Sequence, residues 1–435
     1  AAYLRECGLP ACWTDARDLL TSRPGAASNP ARAYLAATCD YEPDPALQAN
    51  LGERGGVILT QGFIARNSDN ETVLLGRGGS DTSAAYLAAK LQARRLEIWT
   101  DVPGTFTADP RVVPSARLIV ALHYDEAQEL ASAGSSVLHP RSISPTRNNR
   151  IPIFVRSTAN PEIPGTVISS VTDETEPQLK GICMRHGLTL VSMTTVGMWH
   201  EVGFLARAFD VFAGHGVSVD LVSTSETNVT VSVDTKDGML PAAIEESLVR
   251  DLEQMCRVSV IGDCAAISLV GRKIRTILPR LAPALEVFDE ERIHLMSQSA
   301  NDLNLSFVVD ESQGAKLVAK LHASIIPRTG CRNVFGPSWE RLFAGEQPSA
   351  RAADTWWMKK REQLLTLAGQ HPNAYVYDRE SVVEAATGLQ SLQNVDRILY
   401  AVKANTNAEL LQTVHALGVG FECLGLSESA HRAAV

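Results

Sequence analysis

The stretch Leu75-Gly76-Arg77-Gly78-Gly79-Ser80-Asp81 decides how this 435-residue chain is read. A short apolar run, Thr72 to Leu75, leads into it, and an alanine- and leucine-rich stretch of helical character, Thr82 to Arg94, follows. Leu96 to Thr100 then reads as a strand, so the order is strand, helix, strand, the βαβ unit of a parallel sheet. The glycine turn therefore opens a helix, where backbone N–H groups lack partners and the dipole is positive. Glycines let the backbone approach an anion, Arg77 adds a permanent positive charge, and Ser80 or Asp81 can cap the helix. A carboxylate at that place also suits Mg2+ or a cationic partner. The spacing is neither the dinucleotide-binding fingerprint nor the Walker loop. On pattern alone, a plain glycine turn with a helix cap explains it equally well.

The chain around this turn is 45% apolar and 20% charged, which is ordinary globular composition. Its length leaves room for about three domains. A net charge of −9 with only 6% aromatic residues argues against a nucleic-acid partner. No apolar run approaches the ~20 residues that a membrane-spanning helix needs. The cysteines at 7, 12, 39, 183, 256, 264, 331 and 423 form no Cys-x-x-Cys pair. They are expected to be free, mostly buried thiols of a reducing, cytoplasmic compartment. His186, His200 and His215 have no ligand spacing, so no metal is assigned to them. His139, before Pro140 and after an apolar run, suits a helix end better than a general base. No secretory signal is visible. A chain that opens at Ala1 and closes at Val435 just after a strand-like run reads as an internal piece of a longer polypeptide.

Residues 1–172 alternate strand-like and helix-like stretches, up to a polar boundary at Asp173 to Pro177. Residues 178–334 contain an internal repeat, in which Val219-Asp220-Leu221-Val222-Ser223-Thr224-Ser225 is echoed by Ile293-His294-Leu295-Met296-Ser297-Gln298-Ser299. Each copy runs on into an alternating strand, Val229 to Asp234 and Leu303 to Asp310. Each follows a helical stretch, Phe204 to Ala213 and Ile274 to Leu285. Two copies of a small α+β module are expected, either side by side or one inserted in the other. Residues 335–372, with Gly336, Pro337, Pro348 and Trp356-Trp357, read as a linker with a docking helix. From 373 to 435 a second βα alternation begins. Its expected strands are Tyr375 to Tyr377, Arg397 to Val402 and Gly420 to Leu424, and its expected helices are Glu380 to Leu389 and Asn407 to Leu417.

Leu75 to Asp81 resembles the aspartokinase signature within the amino-acid kinase family. The resemblance continues in order through Trp99-Thr100-Asp101-Val102-Pro103-Gly104, Thr107-Ala108-Asp109-Pro110-Arg111 and Val137-Leu138-His139-Pro140-Arg141. It implies transfer of the γ-phosphoryl group of ATP, with Mg2+, to the β-carboxylate of L-aspartate. Carried over by position, Arg77 would bind aspartate with Ser80 beside it, and Asp81 would organise the catalytic centre. Thr100, Asp101, Phe106 and Arg111 would line the nucleotide site. Positioning and charge neutralisation are what phosphoryl transfer needs. There are departures from the pattern. The family's opening Lys-Phe-Gly-Gly-Thr/Ser loop and the Gly-Glu pair that follows it are absent from this chain. Ser136 stands where many members have lysine, and Phe106 where many have tyrosine. The chain by itself is therefore expected to be inactive as a kinase.

The repeat resembles paired ACT domains, the amino-acid-sensing modules of regulated biosynthetic enzymes, in the arrangement of lysine-inhibited aspartokinases. By position, Met198, Gly203, Phe204, Leu205, Ser218, Val219, Asp220, Ser225 and Glu226 would surround an L-lysine effector. A turn before a helix serves the α-groups of a zwitterion, and Asp220 or Glu226 its ammonium. Read without the resemblance, these are ordinary turn and cap residues. The resemblance also implies a homodimer through the ACT modules, with inhibition as a shift between two packings.

Arg397-Ile398-Leu399-Tyr400-Ala401-Val402-Lys403-Ala404-Asn405 ends an apolar strand with a lysine, where barrel active sites are built. Tyr400 to Asn405 resembles the cofactor-lysine motif of diaminopimelate decarboxylases. It implies that Lys403 holds pyridoxal 5'-phosphate and that the substrate is meso-diaminopimelate. The expected fold is thus α/β throughout: a partial amino-acid kinase domain built as a parallel-sheet sandwich, two ACT-type modules, and the start of a pyridoxal-phosphate-binding (β/α)8 barrel. The expected function joins aspartate kinase, lysine sensing and diaminopimelate decarboxylase in lysine biosynthesis. Two alternatives stay open: a non-catalytic lysine-binding regulatory protein, and an aspartokinase fused to an amino-acid racemase.

Overall fold

The computed structural model describes the chain except residues 24–29, 136, 172–177, 196–201, 235–241, 277–291, 327–333, 344–355, 372–374, 393–394, 396 and 424–435. It divides into two compact bodies, residues 13–343 and residues 1–12 with 344–435.

In the first body, β1 (Ile64–Arg66) and β2 (Thr72–Leu74) form an antiparallel hairpin. The glycine turn follows, and then α1 (Gly79–Lys90), whose alanines 85, 88 and 89 are buried together with Tyr86. Small residues on that face let the helix lie close to the sheet formed by β3 (Leu96–Thr100), β5 (Ala121–His123), β6 (Ile153–Ser157) and β7 (Thr166–Ser169). Its order is β3-β6-β7-β5, with β3 parallel to β6, β7 antiparallel to β6, and β5 parallel to β7. The order strand, helix, strand around α1 is as expected, but β2 pairs with β1 in a separate hairpin and not with β3, so the parallel βαβ unit read from the sequence does not form there, and the main sheet is mixed rather than parallel. Between β3 and β5 lies the short strand β4 (Arg117–Ile119). Helix α2 (Tyr124–Ser132) starts on a capping box, with Glu126 accepting from the His123 N–H and His123 Nδ1 accepting from the Asp125 N–H. Helix α3 (Ile143–Asn148) precedes β6.

The repeat forms one six-stranded antiparallel sheet. Its members are β8 (Gln178–Thr194), β9 (Val219–Thr224), β10 (Asn228–Asp234), β11 (Arg257–Arg272), β12 (Leu295–Gln298) and β13 (Asn304–Asp310), in the order β9-β10-β8-β11-β13-β12. Strands β8 and β11 are long because each serves both modules. The second half of β8 pairs with β10, and the second half of β11 pairs with β13. Their mutual register breaks between Arg185 and Leu188, where Gly187 has φ 68° and Asp263, opposite, has φ 51°. The module carrying α4 (Phe204–Gly214) and α5 (Ala242–Leu252) is therefore inserted in the module carrying α6 (Glu311–Ile325). That settles which of the two arrangements the chain adopts.

The polar boundary near residue 175 separates elements but not cores. Phe106, Val113 and Leu118 pack in one cluster with Leu179, Ile182, Ile267, Leu305, Phe307, Leu317 and Leu321. The stretch expected to begin a linker at 335 also differs. Phe335–Ser338 is a strand, β14, antiparallel to β4, and Trp339–Phe343 is a short helix, α7. Arg117 fixes this return by donating to the carbonyls of Phe335 and Gly336, with its guanidinium over the Phe335 ring. Gly336 and Pro337 lie on a short two-stranded edge, where proline is tolerated.

The second body contains α8 (Arg361–Gln370), α9 (Arg379–Gln390), β15 (Leu399–Ala401), α10 (Ala408–Ala416) and β16 (Gly420–Glu422). Strands β15 and β16 are parallel, Leu399 opposite Gly420, with α10 as the crossover. Residues 375–377 form no strand; Tyr375 is 92% exposed and finds no ladder partner among the described residues. Among the described residues no helix is long and apolar enough to cross a membrane. The described cysteines are free thiols, but they are not mostly buried as expected: Cys39 and Cys264 are buried, Cys7 is exposed and the others are intermediate.

Candidate active site

The glycine turn is built from backbone conformations that side chains disfavour. Gly76 has φ 76° and Gly78, the residue that opens α1, has φ 63°. A Cβ on Gly78 would overlap the His139 ring, and one on Gly79 would overlap the Phe63 ring. The turn is therefore clasped between two loops. On one side Phe63, itself at φ 76°, donates its N–H to Ser83 Oγ (3.2 Å), which in turn donates to the Ser80 carbonyl (2.8 Å). The Phe63 carbonyl accepts from the Leu75 N–H, and Gly62 lies against Ser80. On the other side Arg141 donates to the carbonyls of Leu75 (2.6 Å) and Ala37 (2.7 Å). His139 caps the 3-10 turn Pro140–Ser142 through Nδ1, which is the helix-end role expected of it. Burial, then the charges of Arg141 and Arg77, hold its imidazole below the usual range.

Within this clasp Arg77 and Ser80 are exposed, while Asp81 is half-buried in the first turn of α1. Burial raises the Asp81 carboxyl above the ordinary range. The next side chain, Thr82, is fully buried with its hydroxyl unpartnered among the described residues. Helix α1 runs back along β3, so its N-terminus lies at the carboxyl end of parallel strands β3 and β6, where open α/β sheets bind ligands. Thr100 ends β3 there, opposite Ser157, and donates its hydroxyl to exposed Asp101 (3.0 Å). Arg111 donates to both carboxylate oxygens of Asp109, and its side chain is 84% exposed. Phe106 differs from its companions: its ring is buried, edge-on to Trp339 at 5.3 Å.

The turn thus brings Arg77, Ser80 and Asp81 together, and the end of β3 presents Thr100 and Asp101. The clasp by Phe63 and Arg141 was not read from the sequence. Its signals were there: Gly62 after an apolar run, and Arg141 closing the last of the four ordered blocks.

In the inserted module, Gly203 at φ 90° opens α4. Phe204 is 2% exposed, in a core with Val191, Val229 and Val231. Leu205, Ser218, Asp220, Ser225 and Glu226 are exposed, and Val219 is partly so. Ser225 Oγ accepts from the Asn228 N–H. Asp220 has an exposed backbone but a side chain only 26% exposed, and it faces Arg185 at 3.5 Å; that partial burial raises its carboxyl and the Arg185 charge opposes the rise. Met198 lies outside the described residues. In the second body, Lys403 is exposed in a 3-10 turn, Val402–Ala404, directly after β15.

Over 325 residues the chain is 35% identical to the lysine-sensitive aspartokinase 3 of Escherichia coli, covering 74% of this chain and 71% of that protein. The solved structure of E. coli aspartokinase III with aspartate and ADP matches with a TM-score of 0.65 at 34% identity, covering 74% and 72% of the two chains. The chain belongs to the aspartokinase family. The amino-acid kinase family model matches residues 1–157, and an ACT domain model matches residues 191–241, the inserted module. Aspartokinase 1 of Arabidopsis thaliana chloroplasts is 34% identical, and there the chain spans only 48% of the relative's length. The turn at Gly76–Asp81 therefore lies in the aspartokinase kinase region, and the clasp is part of that domain. Most of the second body lies outside both matched spans.

Proposed function

We propose that this chain carries the phosphoryl-transfer site and the lysine sensor of an aspartate kinase, which converts ATP and L-aspartate to ADP and 4-phospho-L-aspartate. The observation that carries the reading is the clasped turn. It sets an exposed guanidinium, a helix N-terminus and a half-buried carboxylate at one place, at the carboxyl end of parallel strands. Arg77 would hold a substrate carboxylate, with Ser80 beside it, and the free amides of α1 would add to the positive field. Asp81, its ionised form disfavoured by burial, is suited to orient a cationic group there. Thr100, Asp101, Arg111 and the backbone at Phe106 would border the nucleotide.

The donor set suits a Mg2+ that arrives on phosphate oxygens, since no cluster of three metal-ligating side chains occurs among the described residues. Asp81 and Asp101 are the carboxylates available to it, and its chemistry when bound would be to neutralise phosphate charge. The test is calorimetric titration of the chain with L-aspartate and with MgADP. Arg77→Ala should abolish aspartate binding and leave MgADP binding in place. Loss of neither, or binding of neither ligand by the unaltered chain, would refute the reading.

L-Lysine is the effector we assign to the inserted module, with Asp220 facing its ammonium and the backbone at Gly203, Leu205, Ser218 and Val219 facing its α-groups. The relative named lysine-sensitive supports this reading. Strand β9, an edge with Val222 exposed, is the proposed seat of homodimer pairing. In the second body, the parallel β15–α10–β16 unit with Lys403 just past the strand end supports a pyridoxal-phosphate barrel acting on meso-diaminopimelate. An exposed lysine at that place fits the aldehyde of the cofactor; no phosphate-binding group is assigned. The cofactor would supply an electron sink, and Lys403 would tether it. Pyridoxal absorbance that survives Lys403→Ala and borohydride reduction would exclude this.

A further inference from the structure

The loop Thr105–Arg111, which carries two of the residues assigned to the nucleotide, is held by its own domain through Leu118, Arg117 and Thr166 and, on its buried side, by the sensor region. Its backbone makes a short antiparallel return, with Phe106 bridged to Leu118 and Thr107 N–H donating to the Arg117 carbonyl. Three elements from beyond residue 178 then grip it. The Ile182 N–H on β8 donates to the Thr107 carbonyl (2.8 Å). Trp339 on α7 meets the Phe106 ring edge-on. His322, in the last turn of α6, shares a hydrogen bond with the Thr107 hydroxyl through Nε2 (2.8 Å).

The last contact is unusual. Thr107 is 0% exposed and His322 4%, inside a cluster that is otherwise apolar. Aliphatic residues at both places would pack at least as well, whereas a buried polar pair is worth keeping where it fixes one geometry. The hydroxyl is committed on its other side, since Thr107 Oγ1 accepts from the Arg117 N–H (2.9 Å). One side chain of the sensor thus sets the rotamer of Thr107, and Thr107 sits between Phe106 and Asp109, the partner of Arg111.

We infer that His322 is a positioning residue for the nucleotide loop, acting through Thr107, so that the sensor's last helix holds the kinase's nucleotide site in its binding shape. This rests on the assignment of Phe106 and Arg111 to the nucleotide made above. Removing the contact leaves a buried polar group without its partner and frees the loop, which should weaken nucleotide binding about ten-fold. Aspartate binding, which is assigned to the clasped turn Leu75–Asp81 and its own hydrogen bonds, should not change.

The test is calorimetric titration of the whole chain with MgADP and, separately, with L-aspartate, for Thr107→Val, His322→Leu, His322→Gln and the double variant T107V/H322L. The expected result is about ten-fold weaker MgADP binding in each of T107V and H322L, with the double variant no worse than either single one. H322Q, which keeps a hydrogen-bonding group, should bind MgADP within about two-fold of the unaltered chain. T107V changes little volume and keeps the test available if H322L does not fold. Unchanged MgADP affinity in the single variants, multiplied losses in the double variant, or equal loss of aspartate affinity would overturn the inference while leaving the nucleotide assignment intact. Failure of the unaltered chain to bind MgADP would instead refute that assignment, and this inference with it.

Discussion

Leu221 and Leu295 hold matching places in the two copies of the repeat, and they pack into the same apolar cluster with Leu188, Leu190, Cys264 and Val308. They lie on β9 and β12, the two outermost strands of the six-stranded sheet. The bend at Gly187 and Asp263 lets the long strands carry these edges round to one another. The two modules are thus related by an approximate two-fold centred on the break in register, and Leu295, 4% exposed, is part of the seam. Leu295→Ala should cost about 2–5 kcal/mol, the range for a buried leucine cut back to alanine. Chemical denaturation would register it as a lowered midpoint. A loss under about 1 kcal/mol would mean the seam collapses onto the gap.

Symmetry makes the difference between the modules informative. Asp220 in the inserted module corresponds to His294 in the other. His294 is paired with Asp310 at 2.7 Å, whereas Asp220 faces Arg185 at the looser distance of 3.5 Å. Asp220 is therefore the carboxylate more easily given to a ligand. Asp220→Asn keeps the shape and removes the charge, so L-lysine affinity measured by calorimetry should fall at least ten-fold. An unchanged affinity would move the ammonium to Glu226, whose own replacement by Gln would then carry the loss.

Gly78 offers a sharper test of the clasp. Alanine there must adopt φ 63° and must also push its Cβ into the His139 ring. The backbone part alone costs about 1–3 kcal/mol. The expected outcome for Gly78→Ala is a chain with a lowered thermal midpoint and no measurable aspartate binding. Aspartate affinity within two-fold of the unaltered chain would show that the turn need not keep its shape to bind.

These cases mark what the sequence made legible. The glycine turn and its helix could be read because their chemistry is local, with charge, cap and turn residues within seven positions. The repeat was legible for the same reason. The clasp was not, because Arg141 works through backbone carbonyls at Leu75 and Ala37, and such bonds leave no trace in residue type. Phe106 was placed by its neighbours in the motif, but Trp339, far along the chain, decides where its ring goes. The strand at Phe335 was hidden by Gly336 and Pro337, residues that normally signal a break. Tyr375 to Tyr377 had strand-like composition but no partner strand among the described residues, and composition alone does not make a ladder.

The buried His322 gives the last prediction, in the dependence of stability on pH. Burial pushes its imidazole down from 6.5 to about 4 in the folded chain. Between those values the unfolded chain binds the proton and the folded chain does not, so stability rises with pH across that window. Lowering the pH from 6.5 to 4 should therefore remove about 3 kcal/mol through this residue alone, and the loss should level off only once the pH is well below the folded value. Above pH 7 it contributes no slope. Denaturation midpoints of the unaltered chain and of H322Q, measured from pH 7.5 to 4.5, isolate it, because every other titrating group is common to both. The difference between the two curves should be flat at the upper end and should narrow or reverse towards pH 4.5. Parallel curves over the whole range would mean that His322 takes up its proton in the folded chain as readily as in the unfolded one.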